Sequence, residues 1–145
     1  MEVPASSAAV PDGRALRIVR VPLAALAPDP ANPRLHGPAN LEAIKGSLRR
    51  FGQAEPLVVQ AGTRRIVAGH GRLVAMQALG WTECDVIELD LTPTEAMALG
   101  TALNRTAELA EWDSEGLSRI LEQLRAEDGG LDGVGYSPGD LDALL

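Results

Sequence analysis

Apolar positions change their spacing several times along the chain, and each change predicts an element. The run ALRIVRVPLAAL predicts a strand over 17–21 followed by a short apolar turn. APDPANPRLHGPAN carries four prolines and predicts a loop. Asn40 can then cap a helix whose Leu41, Ile44, Leu48 and Phe51 recur at helical spacing, with Gly52 as its terminator. EPLVVQ and RRIVA, joined by AGT, predict a β-hairpin. A helix over 73–79 stops at Gly80, and ECDVIEL predicts the next strand. Thr92-Pro93-Thr94-Glu95 is a strong helix start: a threonine cap, proline at the first helical position and glutamate at the third. That helix presents Ala96, Leu99, Gly100 and Leu103 on one face. Asp113 caps another, with Leu117, Ile120, Leu121 and Leu124 as its stripe, broken at Gly129-Gly130. Ser137-Pro138-Gly139-Asp140 starts a last short helix carrying Leu141, Leu144 and Leu145. The order β, loop, α, β, β, α, β, α, α, α predicts an α/β (α+β) fold: a small mixed sheet with packed helices and a C-terminal helical appendage. The expected division is a loose tail over 1–14, an α/β domain over 15–112 and a helical extension over 113–145.

Composition narrows the function. The 145 residues suffice for one core, and with only 3% aromatics that core must be aliphatic. Few rings argue against a base-stacking platform for single-stranded nucleic acid. One cysteine, Cys84, excludes an intrachain disulfide and a cysteine-built zinc site, and His36 and His70 have no partners at metal-ligand spacing, so no metal site is expected. No apolar run reaches the ~20 residues of a membrane span, and residues 1–13 lack a signal-peptide core, so no membrane association and a cytoplasmic location are expected. The net charge of −7 is uneven: +5 over residues 1–72 and −12 over 73–145. The acidic half reads as solvated helix faces.

The chemistry concentrates at Gly69-His70-Gly71-Arg72, between a strand and a helix. A helix N-terminus offers unpaired N–H groups and about half a positive charge, and glycine lets an anion approach. Arg72 adds a fixed cation able to make paired bonds to phosphate oxygens. His70 can donate to a phosphate, transfer a proton, or merely cap the helix. The turn is neither a Walker A loop nor a Rossmann fingerprint. Elsewhere, Arg34 in Asn32-Pro33-Arg34 can close over a phosphate or be an ordinary loop arginine. Gln53 can read a base edge or satisfy hairpin backbone. Asn104-Arg105 is expected just after a helix C-terminus. Arg49, Arg50, Arg64 and Arg65 can form a patch for DNA phosphates or be dispersed surface charge. Glu42 can serve as a base for the turn, but it reads better as a first-turn helix residue. Trp112 reads as a packing anchor.

Taken in order, PDPANPRLHG, FGQAEPLVV, the Gly-x-Gly turn, LGW and NRTAELAEWD resemble the N-terminal domain of the ParB/sulfiredoxin superfamily. The likeness is nearest to the form fused in front of phage and prophage DNA methyltransferases and covers about residues 17–145. It implies a phosphate- or nucleotide-binding module, with Gly69, His70, Gly71, Arg72, Arg34, Asn104 and Arg105 as binding residues and Gln53 as a base reader. It implies a nucleoside triphosphate, with Mg²⁺, as the ligand, and a DNA-modifying or packaging protein as the partner. The turn of the partition proteins reads Gly-Glu-Arg-Arg and holds the triphosphate of CTP; here His70 and Gly71 replace its middle residues while the final arginine stays. Sulfiredoxins carry a catalytic cysteine where this chain has His70. The superfamily's free serine kinases carry an acid where this chain has Ala68. The helix-turn-helix domain of partition proteins is absent, so no sequence-specific DNA binding by the chain alone is expected. The alternative is an NTP-dependent enzyme, an NTPase, small-molecule kinase or nuclease, using His70.

Overall fold

The structure is a computed structural model that describes residues 15–145; the expected tail over 1–14 lies outside the described residues. Four strands form one mixed sheet: β1 (Ile18–Pro22), β2 (Leu57–Gln60), β3 (Ile66–Ala68) and β4 (Glu83–Leu89), in the order β1-β4-β2-β3. β1 runs antiparallel to β4, β4 parallel to β2, and β2 antiparallel to β3. A parallel β2–β4 pair needs a crossover between its strands. That crossover is the hairpin strand β3 followed by helix α2 (His70–Ala78), which sets the 69–72 turn at the end of β3.

Alternation along the strands sorts the two faces. Leu57 and Val59 are fully buried, and with Ile66, Cys84, Val86 and Val21 they meet Leu48 of α1 (Pro38–Phe51) and Leu73, Ala75 and Met76 of α2. Two helices thus cover one face with an aliphatic core, as the scarcity of aromatics requires. The other face is only partly covered. α3 (Pro93–Leu109) crosses it at β3, where Gly100 permits close approach: a Cβ there would lie 2.8 Å from the Val67 carbonyl oxygen. No residue of α3 is fully buried, and past Gly100 all are exposed; the uncovered ground between it and the sheet is where a cavity opens.

A second apolar cluster is built by α4 (Ser114–Ala126) and α5 (Pro138–Leu144). Leu117, Leu121 and Leu141 form its centre, with Leu131, Val134, Tyr136 and Leu144 around it. Arg50 of α1 anchors the connecting turn by donating to the carbonyls of Gly130 at 2.9 Å and Asp132 at 2.7 Å. No helix among the described residues is long and apolar enough to cross a membrane.

Several local expectations need correction. α1 begins at Pro38, with Gly37 in the cap position, because proline suits the first helical turn; Asn40 lies inside the helix and its Oδ1 contacts His36 Nδ1 at 2.6 Å. Phe51 is exposed beneath the Arg50 guanidinium instead of lining the core. α2 starts at His70, three residues before the expected position, since Gly69 supplies the turn that launches it. α3 continues to Leu109, so Asn104 and Arg105 are interior helix residues, and Leu103 on its predicted stripe is exposed. Ile120 on the α4 stripe is exposed as well. Trp112 is 68% exposed and touches Tyr136 edge-on at 6.3 Å.

Candidate functional site

Gly69 adopts φ 106°, ψ 21°, and no side chain caps the helix that follows. The first intrahelical bond is Leu73 N–H to the Gly69 carbonyl at 2.9 Å. The N–H groups of His70, Gly71 and Arg72 therefore precede the helical ladder and are available at the mouth of the turn.

Two cavities meet beside this turn. One, of about 590 Å³, is lined by residues of the turn with Arg34, His36, Glu55, Val58, Ile87 and Asn104. The other, of about 430 Å³, lies between β3 and α3 and is lined by Arg34, Gln60, Arg65, Met97, Arg105 and Glu108, among others. Asn32, Arg34, His70 and Asn104 border both. Both volumes fall within the ~300–1,000 Å³ of small-molecule sites. The structure thus brings Arg34 beside Arg72 in one lobe and beside Arg105 in the next. Arg72 and Arg105 share neither lobe. Gln53 borders neither: its Oε1 accepts from Asp85 N–H at 2.8 Å and its Nε2 donates to the Asp85 carbonyl at 2.8 Å, so its amide bridges to β4.

Arg72 is held in place. Its Nη1 donates to the Glu55 carbonyl at 2.9 Å, with the Glu55 carboxylate 3.8 Å away. His70 accepts at Nε2 from the Asp29 backbone N–H at 3.3 Å. Burial holds its imidazole below the usual histidine range, with nearby Asp29 opposing and His36 assisting. A neutral ring that accepts at Nε2 carries its proton on Nδ1, so His70 offers a donor and its basic nitrogen is already engaged. The Asn104 side chain donates back to the Gly100 carbonyl at 3.0 Å.

Residues not singled out from sequence complete the lining. Gln60, 8% exposed, donates Nε2 to the Leu91 carbonyl at 2.8 Å, which fixes the orientation of its amide beside the second lobe. Glu108 pairs with Arg34 and lies 3.8 Å from Arg105. Because α3 runs on to Leu109, Arg105 and Glu108 lie one turn apart on it. Of the four arginines weighed as a DNA-phosphate patch or dispersed surface charge, Arg50 is bound to the C-terminal turn and Arg64 to Glu88 at 3.1 Å. Cys84 is buried in the core, where burial pushes its thiol up, away from the reactive thiolate. Among the described residues no group of three His, Cys, Asp or Glu side chains can hold a metal ion.

Comparison with known proteins follows the same outline. The profile of the ParB N-terminal domain matches residues 8–105. The chain is 34% identical over 90 residues to the chromosome-partitioning protein Spo0J of Thermus thermophilus, covering 60% of this chain and 34% of that one; it spans about a third of that relative's length. It is 34% identical over 74 residues to the ParB-like nuclease domain-containing protein YnaK of Escherichia coli, covering 51% of this chain and 84% of that one. Among solved structures, the C-terminally truncated chromosome-partitioning protein ParB from Caulobacter crescentus complexed with CTP-gamma-S superposes with a TM-score of 0.74 at 19% identity, covering 88% of this chain and 76% of that one. At that identity the likeness is one of fold.

Proposed function

The chain belongs to the ParB N-terminal domain family, and from that premise we propose that it binds a nucleoside triphosphate across the two lobes. The phosphates lie at the N-terminus of α2, on the N–H groups of His70, Gly71 and Arg72 and the guanidinium of Arg72. Arg34, Asn104 and Arg105 reach over the ligand, and the base enters the lobe beside Gln60. The observation that carries this reading is the uncapped helix start at Gly69, opening into a cavity that Arg34 and Arg72 share. The ParB of the same fold holds CTP-gamma-S, which makes CTP the first nucleotide to test. Titration of the purified chain with CTP, alongside an Arg72→Ala variant, tests it.

Magnesium fits only as a companion of the phosphates. The described residues offer no three-ligand cluster; of the carboxylates lining the two lobes, Glu55 lies against Arg72 and Glu108 is paired with arginines. Mg²⁺ commonly keeps its waters and rides on substrate phosphates. The enzymatic alternative has less support, because the Asp29 N–H occupies the nitrogen that His70 would use as a base.

In the cell we place the chain in DNA transactions of a prophage or mobile element, as partner or regulatory module of a DNA-modifying or packaging protein. The division between a ligand-binding unit over 15–112 and a helical extension over 113–145 belongs to the same proposal, supported by the two separate apolar clusters. With Arg50 and Arg64 engaged internally and a net charge of −7, the purified chain will show no sequence-specific DNA binding. Any weak retardation in a gel-shift titration will fall steeply between low and physiological salt, because each phosphate neutralised by an arginine releases counterions. Tight, salt-resistant binding to one sequence would contradict this.

A further inference from the structure

We propose that Glu108 sets the phosphate-chain selectivity of this site, as an internal competitor that a polyphosphate displaces and a monophosphate does not. The proposal rests on the nucleotide reading above and assigns a role to a carboxylate of the NRTAELAEWD run that the reading leaves without one. Glu108 is the penultimate residue of α3, where a negative charge opposes the helix dipole. Local helix energetics therefore disfavour it. Its carboxylate instead reaches off the helix to Arg34, 74 residues away in the chain, while lying 3.8 Å from Arg105 one turn earlier. One acid thus contacts both arginines that the nucleotide reading sets over the ligand, Arg34 and Arg105. The side chains of Arg34 and Glu108 are 44% and 43% exposed, so the pair is wet and weak enough to be exchanged.

Two anions competing for the same arginines are decided by charge and reach. A monophosphate seated on the α2 N-terminus has no second phosphate to offer Arg34, so it leaves the Arg34–Glu108 pair in place. A triphosphate is long enough to hold the turn with one phosphate and take Arg34 from Glu108 with another. The carboxylate therefore costs long anions more than short ones and narrows the preference for a triphosphate.

Calorimetry on the full chain with CTP, CMP and inorganic tripolyphosphate tests this, comparing the parent with Glu108→Gln. Glutamine matches glutamate in size and helix propensity, and the position is exposed, so the fold is kept; a melting curve checks that. Loss of the competing ion pair should raise CTP affinity roughly fivefold and CMP affinity less, so that the CTP-to-CMP ratio rises, and tripolyphosphate should follow CTP. A ratio that falls overturns the proposal. An unchanged ratio overturns it, as does weaker CTP binding by the variant, which would make Glu108 a positioning residue for the arginines. A loss seen only in titrations containing Mg²⁺ would make it a metal ligand and also overturns it. If neither protein binds any of the three probes, the nucleotide reading itself fails and the proposal with it.

Discussion

Gly69→Ala will destabilise the chain by roughly 2–4 kcal/mol and lower its melting temperature by about 10 °C. Two independent costs act at this position. The backbone sits at φ 106°, in a region where a side chain costs on the order of 1–3 kcal/mol. A Cβ would also stand 2.5 Å from Leu57 Cδ2, and Leu57 is fully buried between the helices and the sheet, so there is no room for it to yield. Gly62 in the hairpin turn is the natural control. Its φ is 86°, but nothing lies within 4 Å of a Cβ there, so Gly62→Ala should show only the conformational cost. Denaturant unfolding of the two variants separates the terms. Equal losses would mean that the turn is not packed against β2 as described.

Arg72→Ala will weaken nucleotide binding by roughly tenfold to a hundredfold. A charge-assisted contact to phosphate contributes on the order of 1.5–3 kcal/mol, and each 1.4 kcal/mol is a factor of ten. The Glu55 carbonyl fixes one arm of the guanidinium, so the parent loses little side-chain freedom when phosphate binds. The stability cost should be small, about 1 kcal/mol or less, because the bond to Glu55 is solvent-accessible. Calorimetry showing equal affinity in variant and parent would remove Arg72 from the site. A large fall in melting temperature would instead reveal a structural role.

Local features were legible in the sequence. The strand over 83–89 has the bounds read from ECDVIEL, and the Thr92 capping box is present, with both of its hydrogen bonds formed. These depend on neighbours a few residues apart. Where α2 begins was not legible, since histidine and glycine are weak helix formers and the start depends on a backbone angle that only Gly69 provides. The apolar stripe of α3 was read as one face of a helix, and no residue of that face is fully buried. Periodicity reports an apolar face, whereas covering Leu103 depends on what the rest of the chain sets against it. In the candidate site, the 69–72 turn is contiguous and could be found by inspection. The Arg34–Glu108 pair, the Asp29 N–H on His70 and the orientation of Gln60 join residues 31 to 74 positions apart. They follow from the path of the chain through the sheet and carry no local signature. Gln53 had two readings from sequence, and the geometry gives its amide to the β4 backbone.

The central claim is that phosphates sit on the first N–H groups of α2. An amide NMR titration of the labelled chain with CTP and Mg²⁺ addresses it directly. Saturable shifts are expected at His70, Gly71 and Arg72, with smaller ones around Gln60 and Asn104, and Arg72→Ala should need roughly tenfold or more CTP to reach the same shifts. No shifts at millimolar nucleotide, or shifts confined to α4 and α5, would contradict it.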